Sequence, residues 1–337
     1  MMMSSRIFFF VALALSSLPG GRPFVSPSHR QQQQQQQGVP LLLAVSDDDD
    51  DARKTELLET ACEAARVAGS LIFEAKADER RVQKSKSTAK DLLTKTDVAC
   101  QEVIARILEE RWPEASLLGE EDVAPGSEAS AKAAIHALGE DSSLCWVVDP
   151  IDGTANFVDG IPLSSVSIAA VEDDEVLVGV VYDPYRDELF AAAKGRGATL
   201  NGEPIATSRV ADLGDAIVYA GAPPTARSLA PSLRGINAVA PKIRTLRLLG
   251  SAALMLAYTA AGRGAAYFEA DLSAWDTAAG ACLILEAGGN ITDAQGHAYE
   301  PSSTRQIVAT NGPIHHDLLS LLDSADGARI LESDRLL

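Results

Sequence analysis

The sequence predicts a mixed α and β fold in which layers of helices and sheets pack on one another. Apolar residues recur at helical spacing over residues 55–74, as in an amphipathic helix. Between residues 165 and 193, short apolar segments are separated by turn signals, as in neighbouring strands. From residue 216 to residue 309, strand-like apolar runs alternate with helical patterns, so both element types continue into the last third of the chain.

Residues 1–51 are expected to precede the folded part. A charged start and the apolar run 7–15, too short to span a bilayer, are typical of a secretory signal peptide. Residues 20–45 contain arginines, serines and a glutamine tract but no acidic residue, as in a transit peptide. Together they resemble the bipartite plastid presequences of algae with complex plastids, and simple secretion is the alternative. The aspartates at residues 47–51 are expected to form a solvated linker.

The remaining elements follow from periodicity and from breaker residues. A second helix is expected over residues 97–111, because Trp112 and Pro113 end its pattern. Val147 and Val148 indicate the end of a buried strand. Two parts are expected, an N-terminal α+β half over 52–194 and a C-terminal α/β half over 195–330. Further strands are expected at 165–171, 176–182, 188–193, 216–219, 264–268 and 307–309, and further helices at 251–261 and 276–287.

Composition limits the class of partner. The 337 residues are 46% hydrophobic, which is enough for a substantial core. The net charge of -18 repels polyanions such as nucleic acid, so a small phosphorylated substrate would need metal ions as intermediaries. The four cysteines form no C-x-x-C pair, so neither a zinc site nor a disulfide framework is indicated.

The most informative motif is an apolar run that ends in two carboxylates. Asp149 is expected at the carboxyl edge of its strand, where open sheets place ligands, and Asp152 follows three residues later. Pro150 fixes the turn, and a helix that opens at Gly153 and Thr154 has free N–H groups that attract an anion. The motif therefore predicts a site that binds metal ions and phosphate together.

Three more carboxylates follow apolar segments. Glu120 comes after a short apolar run, Asp276 lies at an expected helix N-terminus, and Asp97 follows Leu-Leu-Thr-Lys-Thr. Singly, each is typical of a helix cap or a surface charge. Because hard divalent cations such as Mg²⁺ prefer oxygen ligands, the set predicts a multi-metal site. Its expected ligands are Glu120, Asp149, Asp152 and Asp276.

Three segments resemble the signature motifs of the inositol monophosphatase family, in its order and spacing across residues 52–325. They are Gly119-Glu120-Glu121, the segment 149–154 and the segment 275–280. The resemblance implies an α+β fold, a layered αβαβα sandwich, and a homodimer. Cleavage of the presequence is expected to leave no stable membrane anchor. It also implies lithium-sensitive hydrolysis of phosphate esters that depends on two or three Mg²⁺ ions.

The resemblance assigns ligands to two metal sites, residue by residue. Glu120, Asp149 and the backbone carbonyl of Ile151 would bind the first ion. Asp149, Asp152 and Asp276 would bind the second ion. The family therefore supplies the same carboxylates that the local patterns single out, together with one carbonyl that they do not.

The resemblance also assigns catalytic and substrate-binding roles. Thr154 and Asp97 would activate the attacking water, and Glu120 would assist through the first metal and a third. The amides of Gly153 and Thr154 would hold phosphate oxygens, and Glu269 matches the family carboxylate that binds inositol hydroxyls. The expected substrate-binding residues are Gly153, Thr154, Lys86, Glu269 and Ala252.

The expected substrate is myo-inositol 1-phosphate. Ala155-Asn156-Phe157 resembles the inositol phosphatase branch, since the bisphosphate nucleotidase and histidinol phosphatase branches usually carry lysine at the position of Ala155. Asp159 lies where relatives commonly have a basic residue or His, and residues 221–233 form a compact version of a variable substrate loop. Histidinol phosphate, galactose 1-phosphate and 3′(2′),5′-bisphosphate nucleotides therefore stay as alternatives. A non-catalytic metal-binding scaffold is the alternative of another class, but it should have lost at least one ligand.

Other phosphatase chemistries lack their residues. Cys100 and Arg106 have the spacing of a cysteine phosphatase, but the residues between them are helical and include no glycine for an anion-binding loop. No histidine accompanies the carboxylate motifs, and the sequence has no Gly-x-x-x-x-Gly-Lys loop.

Overall fold

A computed structural model describes residues 47–75, 84–85, 92–139, 142–223 and 225–329, and these ranges contain eight α-helices and fourteen β-strands. The helices are α1 (Asp47–Glu74), α2 (Lys95–Arg111), α3 (Ser127–Leu138), α4 (Thr154–Asp159), α5 (Ala226–Val239), α6 (Ala252–Ala260), α7 (Ala274–Glu286) and α8 (His315–Ser324). The first nine strands are β1 (Lys84–Ser85), β2 (Leu92–Leu93), β3 (Ser116–Gly119), β4 (Cys145–Asp152), β5 (Ser165–Glu172), β6 (Glu175–Asp183), β7 (Glu188–Ala193), β8 (Ala198–Leu200) and β9 (Glu203–Ile205). The last five strands are β10 (Ile217–Ala220), β11 (Thr245–Arg247), β12 (Ala266–Ala270), β13 (Asn290–Asp293) and β14 (Gln306–Thr310).

The described strands form two large sheets and one short ribbon. The seven-stranded sheet has the order β3-β4-β5-β6-β7-β8-β9, with β3 parallel to β4 and the other neighbours antiparallel. The five-stranded sheet has the order β11-β10-β12-β14-β13, in which β10 is parallel to β11 and β12, and β14 is antiparallel to its two neighbours. Strands β1 and β2 pair with each other.

Helices cover both sheets and fill the space between them. α1 and α2 pack on one face of the seven-stranded sheet, α6 and α7 lie between the sheets, and α5 and α8 pack on the far face of the five-stranded sheet. Side chains alternate across each strand, so Trp146 and Val147 enter different cores, as do Tyr267 and Phe268. The resulting order of layers is αβαβα, and the predicted α+β sandwich is confirmed.

Most elements expected from periodicity are present near their expected bounds, among them α2, α6, α7, β5, β6 and β7. β4 is longer than expected, because it continues through Asp149 to Asp152. The expectation of a compact loop at residues 221–233 is wrong in part, since α5 begins at Ala226. The cap at Thr225 and the burial of Val239 stabilise this helix, although it contains Pro231.

The acidic run at residues 47–51 is helical, which corrects the expectation of a linker. α1 begins at Asp47, and acidic residues near a helix N-terminus interact favourably with the helix dipole. Lys54 pairs with Asp50 at 2.6 Å one turn away, which gives further local support to this turn. The expected signal and transit segments lie outside the described residues.

The described residues, 47–329 with the gaps given above, belong to one compact unit. The expected boundary between residues 194 and 195 follows β7, within the seven-stranded sheet, and the division into two halves stays a prediction. Among the helices that the structure describes, none combines the length and the apolar character that crossing a membrane requires.

Candidate active site

A sharp turn at the end of β4 exposes the first pair of carboxylates. The pairing of β4 with β5 shifts register between Asp149 and Asp152, so the strand bends away from the ladder there. Gly153 follows with a φ of 90° and precedes α4. The backbone conformation favours glycine, and a Cβ atom at Gly153 would be crowded, because it would lie 3.0 Å from the carbonyl oxygens of Gly250 and Leu163.

Three aspartates that are distant in the chain meet beside this turn. One carboxylate oxygen from each of Asp149, Asp152 and Asp276 lies within 4.8 Å of the other two. Asp276 belongs to the first turn of α7, where its carboxylate accepts the backbone N–H of Ser273 at 2.6 Å. The Ser167 hydroxyl on β5 donates to the Trp275 carbonyl at 3.0 Å and so fixes the start of α7 against the sheet.

Glu120 joins the aspartates from the neighbouring strand. It opens a short 3-10 helix (Glu120–Asp122) directly after β3, whose last residue, Gly119, lies opposite Val148 of β4. The side chain of Glu120 interacts with Asp149 through a hydrogen bond and through its charge, and both raise the pKa of Asp149. The structure therefore brings together all four carboxylates that the sequence predicts as metal ligands.

Burial and mutual repulsion make this cluster electrostatically demanding. Asp149 is 2% exposed, and its pKa lies well above the usual range because burial removes its hydration and neighbouring carboxylates repel its charge. The pKa of Asp276 is raised for the same two reasons. Because the donors are all oxygens and their negative charges need compensation, the set fits a hard divalent cation.

Asp152 differs from its neighbours because the N-terminus of α6 supports its charge. Its carboxylate accepts the backbone N–H groups of Ala252 at 3.1 Å and Ala253 at 3.0 Å, and the Ser251 hydroxyl. Burial raises the pKa of Asp152 to about 6, while these hydrogen bonds act in the opposite direction. The sequence predicts Ala252 as a substrate-binding residue, whereas the structure places its amide on Asp152.

Ser251 supports the carboxylate of Asp152, a role that the sequence does not indicate. It begins α6 as the capping residue, and its hydroxyl accepts the backbone N–H of Leu254 at 3.3 Å. A serine before a helical pattern indicates a cap, but nothing local shows that the hydroxyl also reaches Asp152.

The candidate catalytic residues Thr154 and Asp97 each form hydrogen bonds with a residue three positions earlier in the chain. The Thr154 hydroxyl donates to the Ile151 carbonyl at 3.1 Å, and the Ile151 N–H donates to Asp149 Oδ1 at 3.0 Å. Asp97 is buried in the first turn of α2, where it accepts the Thr94 N–H at 2.9 Å and the Thr94 hydroxyl. The pairing of Thr154 with Asp97 stays a prediction.

Glu269 lies on β12, with 8% of the residue exposed. The Tyr267 hydroxyl donates to its carboxylate, and burial raises the pKa of Glu269 to about 7. Gly221 lies against the same carboxylate, because a Cβ atom there would overlap it. Lys86, the remaining predicted substrate-binding residue, lies outside the described residues.

The competing cysteine chemistry is not supported by the structure. Cys100 is buried inside α2, and burial raises the pKa of its thiol far above the usual range. Arg106 belongs to the same helix, so the residues between them form no anion-binding loop. All four cysteines are free thiols.

Comparisons with known proteins agree with this geometry. Residues 53–326 match the model of the inositol monophosphatase family. The chain is 39% identical over 268 residues to a Nus factor SuhB of Pasteurella multocida, covering 78% of this chain and 94% of that protein. It is 35% identical over 271 residues to inositol monophosphatase 3 of Solanum lycopersicum, covering 80% of this chain and 97% of that protein. The structure of an inositol monophosphatase from Anabaena matches this chain with a TM-score of 0.68 and 32% identity, covering 81% of this chain and 97% of that one.

Proposed function

The chain belongs to the inositol monophosphatase family, and we propose that it is a Mg²⁺-dependent phosphate monoester hydrolase whose substrate is myo-inositol 1-phosphate. The observation that carries the proposal is the buried oxygen cluster of Asp149, Asp152 and Asp276, with Glu120 beside it. Such a cluster would be costly in a protein that binds no cation, because burial and the mutual repulsion of the carboxylates disfavour their charged forms.

Two groups of residues would hold the cations. Glu120, Asp149 and the Ile151 carbonyl form one group, and Asp149, Asp152 and Asp276 form the other. When bound, divalent cations supply charge compensation for a phosphate ester and make its attack by water easier. The carboxylates need little rearrangement to bind them, since Asp152 and Asp276 are already oriented by backbone N–H groups.

The remaining residues would position phosphate and water. The amides of Gly153 and Thr154 are proposed to bind phosphate oxygens at the turn that leads into α4. The Thr154 hydroxyl donates to the Ile151 carbonyl, which leaves its oxygen able to accept a hydrogen bond from the attacking water. Asp97 is proposed to receive the proton of that water, and its burial suits a base that must be shielded from bulk solvent.

Glu269 supports a polyol as the alcohol part of the substrate. An ionised carboxylate accepts hydrogen bonds from two neighbouring hydroxyl groups, and Tyr267 already orients this one. Lys86 is a further proposed contact of the substrate, and Ala252 is proposed to line the pocket, since its amide N–H is used by Asp152. Histidinol phosphate, galactose 1-phosphate and 3′(2′),5′-bisphosphate nucleotides are the competing substrates.

The test is phosphate release by the purified protein from these four esters, measured with Mg²⁺, with EDTA, and with Mg²⁺ plus lithium. We expect the inositol ester to have the highest kcat/KM, to need Mg²⁺ and to be inhibited by lithium. Asp276→Asn should remove the activity, and Asp187→Asn, a change in the β6–β7 turn, should not. A preference for another ester would overturn the substrate and keep the reaction class.

A non-catalytic metal-binding scaffold is the competing proposal of another class. A relative that carries the name Nus factor SuhB gives a reason to test it. The complete set of proposed ligands and catalytic residues supports the enzyme instead. Hydrolysis of none of the four esters, together with tight Mg²⁺ binding, would favour the scaffold.

We propose that the protein acts in a plastid, as a homodimer. The location rests on the presequence pattern of residues 1–45, and secretion is its alternative. A fluorescent fusion of residues 1–51 would distinguish the two compartments. Light scattering of the purified protein would give the mass, and a monomer mass would overturn the dimer.

A further inference from the structure

A second hydrogen-bond network lies beside the candidate active site, and none of its members is a proposed ligand. Its centre is Asp271, which follows Glu269 by two residues and precedes Asp276 by five. Only 8% of the Asp271 side chain is exposed. Its two carboxylate oxygens receive hydrogen bonds from two different parts of the chain.

One oxygen holds the segment that begins at a proposed metal ligand. The Ser127 hydroxyl donates to Oδ1 of Asp271, and Ser127 is the first residue of α3. Residues 120–127, which we call the metal-side loop, run from Glu120 to this serine. Asp271 therefore fixes the far end of the loop whose near end contributes Glu120.

The other oxygen holds the beginning of α5. The Ser228 hydroxyl donates to Oδ2 of Asp271 at 2.6 Å, and Thr225 caps the same turn by accepting the Ser228 N–H at 3.3 Å. We call residues 225–228 the α5 start. Upstream of it, Gly221 lies against the carboxylate of Glu269 and donates its N–H to the Phe268 carbonyl at 3.2 Å. The α5 start is thus close in sequence to a residue that covers Glu269.

Arg305 completes the network. Its guanidinium donates to Oδ1 of Asp271 at 3.3 Å and to the Asp271 carbonyl at 3.5 Å, so the buried charge is paired. Asp271 has a φ of 64°, a left-handed conformation that aspartate tolerates better than most residues. A paired carboxylate on a constrained backbone is a rigid connector between the two serines.

We propose that Asp271 is a positioning residue that couples the metal-side loop to the α5 start, so that cation binding and binding of the polyol part of the substrate depend on each other. The identity of that substrate rests on the proposed function, whereas the coupling of the two segments does not. Because each segment uses one oxygen of the same carboxylate, displacement of one changes the support of the other. The coupling is reciprocal, as any linkage of two binding equilibria must be.

Hydrogen exchange of the full chain tests the coupling without any assay of activity. Asp271→Gly removes the carboxylate and leaves a residue that adopts a φ of 64° without strain. We expect amide exchange to become about tenfold faster in both the metal-side loop and the α5 start, since hydrogen bonds to a charged acceptor are lost. Asp271→Asn, which keeps one acceptor oxygen, should restore part of the protection.

Asp187→Gly is the matched control. Asp187 also has a positive φ, of 52°, and accepts a hydroxyl, that of Tyr182 at 2.8 Å, but it lies in the β6–β7 turn. It should leave exchange in both segments unchanged. Unchanged exchange of either segment in Asp271→Gly would overturn the coupling.

Kinetics separate positioning from a merely structural role. Ser127→Ala should raise the Mg²⁺ concentration for half-maximal activity, Ser228→Ala should raise KM for inositol 1-phosphate, and Asp271→Gly should raise both by about tenfold. The KM for p-nitrophenyl phosphate, which has no polyol, should stay unchanged in Asp271→Gly. A fall in kcat alone, equal for both esters, would overturn the positioning role.

A wild-type protein that hydrolyses neither ester would refute the proposed function instead. The coupling would then be decided by calorimetry with Mg²⁺ alone. Weaker Mg²⁺ binding by Asp271→Gly, together with faster exchange at the α5 start, would support it. Unchanged Mg²⁺ binding would overturn it.

Discussion

The Asp152 carboxylate accepts the backbone N–H of Ala253 at 3.0 Å, although the two residues are 101 positions apart in the chain. The bond joins the end of β4 in one sheet to the N-terminus of the helix that lies between the sheets. Burial alone would raise the pKa of Asp152, and this bond lowers it again. A proposed metal ligand is therefore kept ionisable by the packing of a helix against its strand.

Ser251→Ala tests this support. The substitution removes the hydroxyl that donates to Asp152 but keeps both backbone donors. We expect Mg²⁺ affinity, measured by calorimetry, to fall by about tenfold, as is usual when a residue that orients a ligand is lost. Ser232→Ala is the control, because Ser232 is also buried but its hydroxyl has no hydrogen-bond partner within the described part of the chain. Equal affinities of the two variants would refute the orienting role.

Asp149→Asn should stabilise the protein in EDTA. The amide keeps an acceptor for the Ile151 N–H and removes a buried charge that neighbouring carboxylates repel. We expect the free energy of unfolding at pH 8 to rise by about 1–2 kcal/mol, a typical gain when a functional site gives up its strain. Thermal unfolding with Mg²⁺ should then show no gain in Tm, unlike the wild type. A destabilised metal-free variant would contradict this account of the cluster.

Gly153→Ala and Gly202→Ala separate backbone strain from crowding. Both glycines have a positive φ, of 90° and 85°, but only a Cβ at position 153 would meet other atoms within 4 Å. Urea unfolding should show a loss of about 1 kcal/mol for Gly202→Ala and about 3 kcal/mol for Gly153→Ala. Only Gly153→Ala should lose activity. Equal losses of stability would contradict a cost of crowding, because they would mean that the two carbonyl groups beside Gly153 move aside for the added Cβ atom.

Glu269 should make stability in EDTA depend on pH. Its pKa is raised from 4.5 to about 7 in the folded protein, so the folded state binds this proton more tightly than the unfolded state does. The free energy of unfolding should therefore fall as pH rises through this window, by up to about 3 kcal/mol. Urea unfolding at several pH values should show a smaller fall for Glu269→Gln. Tyr267→Phe removes a hydrogen bond that lowers this pKa, and it should extend the fall to higher pH.

Local patterns predict the parts of this site that are local. The strand end at Val148, the carboxylates after it and the turn at Gly153 are all visible within a few residues of one another. Glu120 and Asp276 are also visible locally, as carboxylates after apolar segments, and the family motifs support their assignment to the same site as Asp149, with which no periodicity connects them. The helices and strands that the sequence does predict are those whose apolar spacing is regular.

Contacts across the chain account for what the sequence does not show. Ser251 and Asp271 are ordinary polar residues in sequence, and their partners lie far away along the chain. The α5 helix contains Pro231, and its packing on the five-stranded sheet outweighs this local signal. The aspartates at residues 47–51 are helical, and two of them have ion-pair partners, Lys54 one turn away and Arg196 far along the chain. A run of charges in the sequence does not indicate that such partners are present.

Asp276 serves both the carboxylate cluster and the first turn of α7, because its side chain accepts the Ser273 N–H. A substitution at Asp276 would therefore weaken the start of α7 and raise the unfolded fraction of the protein, as well as removing a proposed metal ligand. Cellular proteases would then degrade more of the variant, so such a substitution has two separate costs. Asp149 belongs to a strand and begins no helix, so its replacement carries no such penalty. Descendants of this chain that abandon metal binding should more readily do so at Asp149 than at Asp276.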